Sequence, residues 1–196
     1  MKKSVIVLIA VAVVVIGLFM WVKGAYNGMV KADEGVQAAW SQVENVYQRR
    51  ADLIPNLVST VKGYAAHESQ TLENVVAARS KATQMTLDPE NLTSEDLAKY
   101  QKAQGELGAA LGKLLMIQEN YPDLKANQNF LDLQSQLEGT ENRIAVERQR
   151  FNEAARAYNT MIRQFPKNIF AGMFGFEKKP YFEADETAKT APKVEF

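Results

Sequence analysis

The side chains able to do chemistry are few, and their spacing limits what they could do. His67 stands beside Glu68 in "AAHES" (65–69), a pairing that could supply a general base or two metal ligands. Either role needs a third ligand or an oxyanion-stabilising feature, and none is visible in the sequence. A polar capping or surface role is the plainer reading of the pair. His67 is the one histidine, and cysteine is absent. Those counts exclude disulfides, thiolate metal sites, a cysteine nucleophile, a lipobox-type lipid anchor and paired-histidine chemistry within one chain. "GELGAALG" (105–112) carries three glycines, but no strand precedes it and no Lys-Ser/Thr follows it. It is therefore no phosphate loop, and its small residues suit close helix packing or a weakened helix. No catalytic residue, metal site or cofactor is expected.

A second candidate emerges only from the elements that must position it. From Tyr26 onward the apolar spacing is helical. Val36, Trp40, Val43, Tyr47, Ile54, Leu57, Val61 and Tyr64 alternate steps of four and three, and the seam position between Tyr47 and Ile54 is filled by Arg50. The phase carries through Pro55, because Val43, Arg50 and Leu57 are seven apart, as are Tyr47, Ile54 and Val61. A kink within one helix is expected there, in preference to a boundary at which Asp52 caps a restarted helix. A second helix is predicted over 69–86 with Ser69 as a candidate cap, and a third over about 94–119, opened by Thr93 with Asp96 or by Ser94 near Glu95. "NYPD" (120–123) should then place Pro122 at a turn and Asp123 as a cap. The fourth helix repeats Phe130, Leu137, Ile144, Phe151, Tyr158 and Phe165 at steps of seven, with Leu133, Thr140, Glu147, Ala154 and Met161 as partner positions. Pro166 should stop it.

Residues 5–22, "VIVLIAVAVVVIGLFMWV", hold no charge. At about 1.5 Å per residue they extend roughly 27 Å, near the thickness of bilayer hydrocarbon. Trp21 stands where an interfacial aromatic belongs. A cleaved signal peptide would have a shorter apolar region and a small-x-small site, whereas Lys23 stands three before the break that would follow Ala25. An uncleaved single-pass anchor is expected. Lys2, Lys3 and the amino terminus before the span, against Lys23 and Lys31 after it, tip the folded domain toward the outer, periplasmic face. The formal net charge is zero, from 23 basic and 23 acidic side chains, and no basic stripe suggests a nucleic-acid partner.

Three stretches carry a resemblance: "AYNGMVKADEGVQAAWSQVENVYQRRADLIPNLVSTVKGYAAHE", "YPDLKANQNFLDLQSQLEGTENRIAVERQRFNEAARAYN" and "FPKNIFAGMFGFEKKPYF". In order, and after a short N-terminal span, they resemble the LemA family of bacterial membrane proteins. The resemblance implies an N-terminal membrane helix and a four-helix bundle, and carries no activity with it. Its members' frequent neighbours, membrane metalloprotease-type and TPM-domain proteins, hint at protein partners. Family descriptions that place the short N-terminus outside oppose the orientation drawn from charge.

The expected architecture is all-α: a flank at 1–4, a transmembrane anchor at 5–22, an antiparallel up-and-down four-helix bundle at 26–166 with long first and last helices, an aromatic extended segment at 167–183, and a disordered tail at 184–196. With Tyr26 level with Phe165, position 50 lies level with about 141. A buried ionic cluster of Arg50, Glu147 and Glu141, or Arg143, is therefore expected, as a register lock rather than a ligand- or proton-handling site. Phe170, Met173, Phe174, Phe176, Lys178 and Lys179 suit contact with the membrane interface or a partner, against the plainer alternative that the aromatics pack over the end of the bundle. The function expected is that of a membrane-anchored interaction, scaffold or assembly module with the lipid bilayer and protein partners, a homo-oligomer among the options. A small-ligand or stress sensor is the alternative, and an enzyme such as a hydrolase the lesser one.

Overall fold

The computed structural model describes residues 3–183. The tail at 184–196, expected to be disordered, and residues 1–2 lie outside the described residues. The fold is all-α. In chain order the helices are α1 (Lys3–Tyr64), α2 (Ser69–Thr83), α3 (Ser94–Met116), α4 (Pro122–Lys125), α5 (Gln128–Arg163) and α6 (Lys167–Met173), with a 3-10 turn at Ile117–Glu119 after α3.

The apolar stretch and the first amphipathic stretch are one helix, α1, with no interruption at Lys23–Tyr26. A lone Gly24 costs a helix only about 1 kcal/mol, too little to break it between good helix formers. Pro55 also lies inside α1. Proline lacks the amide that would bond the carbonyl four residues back, that of Ala51. Ala51 is buried, so water cannot easily serve that carbonyl. Arg79 of α2 supplies the missing donor, its Nε–H bonding Ala51 O at 2.8 Å. The proline is tolerated because a neighbouring helix replaces what it removed.

The ends of the helices follow ordinary capping chemistry, in places at other residues than expected. Thr93 caps α3, accepting from the Asp96 amide at 3.1 Å and donating to the Asp96 carboxylate at 2.5 Å. Ser69 is not a cap but the first residue of α2, and Glu68 precedes it without a side-chain cap. Asp123 lies inside the short α4, where Pro122 occupies the first turn. The cap of α5 is Asn127, whose Oδ1 accepts from the Phe130 amide at 3.0 Å. Residues 167–173 form α6 and are not extended.

The described chain falls into two compact units. One comprises the chain through Ala38 together with Glu153–Lys179; the other comprises Ala39–Asn152 together with the chain from Pro180. In the second unit, Ile54, Leu57 and Val61 of α1, Leu72, Val75 and Ala82 of α2, Leu107, Leu111 and Leu114 of α3, and Phe130 and Leu137 of α5 share one core. α1 and α5 run antiparallel there: Trp40 meets Phe151, Arg50 meets Glu141, and Tyr64 meets Asn127. In the first unit, Ala25, Met29 and Val36 are buried, as are Ala155, Tyr158 and Ile162. Phe165 leaves the seam of α5 and is 82% exposed. Val76 of α2 is likewise exposed.

The three glycines of α3 do not mediate close packing. A Cβ at Gly105 or Gly112 would meet open space, and one at Gly108 would sit at an ordinary 3.9 Å from Arg50 Nη1. Gly105→Ala should therefore stabilise the fold by about 0.5–1 kcal/mol in urea unfolding. Arg79→Met should destabilise it by about 1–3 kcal/mol, because a buried carbonyl loses its donor. In a Pro55→Ala background, where the amide returns, the same change should cost much less, which a double-mutant cycle checks.

Candidate functional site

Arg50 projects from the buried seam of α1 and is only 3% exposed. A guanidinium there must find acceptors or forfeit several kcal/mol of lost hydration. It finds three. Nη1 bonds Glu141 Oε2 of α5 at 2.8 Å. Nη2 is shared between Gln104 Oε1 at 2.7 Å and the Gln104 carbonyl at 3.1 Å, both on α3. The guanidinium also lies 5.2 Å from the centre of the Tyr47 ring, a cation–π distance. Its buried Nε–H has no hydrogen-bond partner among the described residues. One side chain of α1 thus ties α3 and α5 to a single level of the helix.

Glu141 and Glu147 have different fates. Glu147 bonds Arg150 of its own helix at 2.7 Å and is not part of the Arg50 cluster, while Arg143 is exposed. Six residues of helix displace Glu147 by roughly 9 Å from the level of Glu141, beyond the reach of Arg50. Gln104, which the sequence reading did not single out, takes the remaining place. His67 is exposed, and Glu68 accepts a bond from the Tyr121 hydroxyl at 3.3 Å. Among the described residues no cluster of His, Cys, Asp and Glu could hold a metal ion.

Beside Arg50 a cleft of about 160 Å³ opens between Glu44, Tyr47, Ala82, Tyr100 and Gln104. Burial raises the Glu44 carboxyl above its ordinary range, and the Trp40 indole only partly opposes it. The Trp40 N–H does not close a hydrogen bond of normal geometry. Burial likewise pushes the Tyr100 hydroxyl well up, with Tyr47 and Glu44 adding to the effect and Gln104 and Arg50 opposing it. Tyr100 therefore stays neutral.

A further device holds the segment after α6 by its backbone. In the second unit Asn152 grips Phe182 on both sides, its Oδ1 accepting from the Phe182 amide at 2.8 Å and its Nδ2 donating to the Phe182 carbonyl at 3.0 Å. Arg148 and Gln101 both donate to the Glu183 carbonyl, at 3.0 and 2.9 Å. The Phe182 ring stacks on Trp40 with centroids 6.0 Å apart, meets Phe151 edge-on at 5.5 Å, and lies 4.9 Å below the Arg148 guanidinium. The first unit repeats the grip one heptad along α5. Asn159 Oδ1 accepts from the Lys179 amide at 2.9 Å, and its Nδ2 donates to the Lys179 carbonyl at 2.8 Å. Lys179 Nζ then lies 3.1 Å from Asp33 Oδ1, an ionic contact rather than an aligned hydrogen bond. Lys179 is thus buried and is not available to a membrane or partner, whereas Lys178 is exposed. Tyr158, buried near Asp33 and Glu177, has its hydroxyl pushed up to about 12.

The aromatic residues around α6 meet α1 in the first unit. Phe170 touches Trp21 edge-on at 5.5 Å, and Tyr26 touches Phe174 at 5.0 Å and Phe176 at 5.7 Å. Met173 is 72% exposed and touches none of them in a ring contact.

The model of the LemA family matches residues 39–196. The chain belongs to the LemA family. Among the curated relatives of this LemA-family chain is "Magnetosome protein MamQ 1" of Paramagnetospirillum magneticum, 29% identical over 182 residues, which span 84% of this chain and 67% of the relative. "Magnetosome protein MamQ" of Magnetospirillum gryphiswaldense is 29% identical over 189 residues, covering 86% and 70%. "Protein LemA" of Metamycoplasma hominis is 26% identical over 175 residues, covering 89% and 76%.

Two outcomes follow for this member of the family. Arg50→Ala should cost about 2–4 kcal/mol through lost packing and hydrogen bonds, whereas Glu141→Ala, at a carboxylate 62% exposed, should cost about 1 kcal/mol or less; denaturant unfolding separates them. Asn152→Ala should release Phe182 from Trp40 with the helices intact, seen as altered Trp40 fluorescence at unchanged far-ultraviolet circular dichroism and as faster proteolysis near residue 182.

Proposed function

We propose that this protein works by contact rather than by catalysis: a single-pass, membrane-anchored helical module that holds protein partners, further copies of itself among them, at the bilayer. One observation carries this reading. None of the uncharged stretch 5–22 is buried, residues 5–21 are exposed, and the stretch continues unbroken within α1. Exposed apolar surface on that scale needs a lipid or protein environment. An anchor continuous with α1 then tethers the folded part to the membrane.

Two features agree with a non-catalytic role. The most buried charged group, Arg50, is engaged by acceptors of its own chain, and its surroundings read as a means of fixing helix register. The MamQ relatives are named as magnetosome proteins, which suits a part in organising a membrane-bound assembly. The folded part is proposed to lie on the outer face, from the lysines and amino terminus that precede the span. A second reading, a sensor for a small ligand, draws on the cleft beside Glu44 and Tyr100.

Crosslinking and affinity capture from native membranes, with a mass measurement on the detergent-solubilised complex, test the proposal. The expected result is a reproducible set of partners or a defined oligomer. A strictly monomeric protein with no reproducible partner would defeat it.

A further inference from the structure

The first unit places an exposed apolar stripe at the end of the membrane stretch. Trp21 closes the uncharged run of α1, and Phe170 of α6 sits against it, while Tyr26, a little over one turn further, holds Phe174 and Phe176. α6 is therefore level with the point where α1 would leave the hydrocarbon. Its contacts with α1 use Phe170 and Phe174, which are spaced by four. Ile169 and Met173 of α6 are also spaced by four and are 53% and 72% exposed, and Phe165, in the turn before α6, is 82% exposed. Near α6 in sequence or on the adjoining end of the apolar run, Lys23, Arg163 and Lys178 are exposed and Lys167 is half-buried, with Glu177 an exposed carboxylate among the described residues. An apolar stripe bordered by cations is the composition of a helix lying in the lipid headgroup region.

We propose that α6, with Phe165 leading into it, is a second membrane contact. Phe165, Ile169 and Met173 dip into the boundary between headgroups and acyl chains of the leaflet that α1 leaves. Lys23, Arg163, Lys167 and Lys178 meet the phosphates of anionic lipid. The occupant is lipid rather than a protein groove because Trp21 and Phe170 fix the stripe at the end of the span. The consequence is mechanical: a span alone can rotate and tilt, whereas a span braced by a surface helix presents one face of the protein to the membrane. The proposal rests on the reading that 5–22 crosses the bilayer.

Absence of cysteine makes the test clean. The full chain carries one cysteine at a time, by Met173→Cys, Ile169→Cys, Val13→Cys or Ser80→Cys, labelled with an environment-sensitive fluorophore. Each is reconstituted in phosphatidylcholine vesicles with or without phosphatidylglycerol, containing lipids spin-labelled near the headgroup or deep in the chain. Labels at 173 and 169 should shift to the blue and be quenched several-fold more by shallow than by deep spin labels. The label at 13 should show the reverse depth preference, and the label at 80 should behave as in water. Quenching at 173 should rise with phosphatidylglycerol, and the Lys167→Gln/Lys178→Gln pair should remove that rise. If position 13 is quenched from depth while 169 and 173 resemble 80, the proposal is overturned and the anchor stands. If position 13 is not quenched, the anchor reading itself fails. Equal quenching at 173 in both lipid mixtures overturns the role of the cations.

Discussion

A guanidinium buried among apolar side chains must be met by acceptors at fixed distances, and in the second unit that requirement falls on Arg50. Its partners come from two other helices, Glu141 of α5 and Gln104 of α3. Hydrophobic seams are forgiving of a slip by one heptad, since one leucine resembles the next. A directional pair is not, because a shift of one heptad would carry Glu141 about 10 Å from Arg50. Apolar burial supplies the drive to pack, and the bonds of Arg50 to Glu141 and Gln104 are made at the observed axial offset. α1 itself stays unbroken from the exposed apolar stretch to Tyr64.

The same logic recurs wherever backbone is left without a partner. Pro55 frees the Ala51 carbonyl and Arg79 takes it up. The segment after α6 has no helix or sheet to satisfy its amides, so Asn152 and Asn159 do so from α5, one grip in each unit. Side-chain amides suit this task because each offers one donor and one acceptor at the spacing of a backbone N–H and C=O. These are structural uses of polar side chains. They account for several buried polar groups that could otherwise be mistaken for a reactive centre.

Much of this was legible in the sequence, to different depths. Periodicity finds a face but not a level: Arg50 reads correctly as a seam residue because its neighbours seven away are Val43 and Leu57. Glu147 shares the seam of α5 yet misses Arg50, since axial height depends on how two helices are offset. The offset drawn from Tyr26 and Phe165 points to position 141, and Glu141 stands there with a bond to Arg50. The asparagine grips left no readable mark, because their partners are backbone groups of an irregular segment. Lys179 looked like an interfacial lysine beside Lys178, and only the fold turns it toward Asp33. The apolar run at 5–22 and the heptad pattern from Tyr26 read as two elements, yet Lys23 and Gly24 between them are too weak to stop a helix, and α1 runs through.

If the buried polar cluster serves register and contact is the protein's work, the cluster can be replaced by apolar groups of similar size without loss of that work. The direct measurement is partner capture from native membranes by the triple variant Arg50→Met, Gln104→Leu, Glu141→Leu, with its unfolding midpoint recorded alongside. The expected result is a folded protein that captures the same partners as the wild type. A variant that folds with an unchanged helical content but captures none of them would contradict this, and would mark Arg50 as part of a working site.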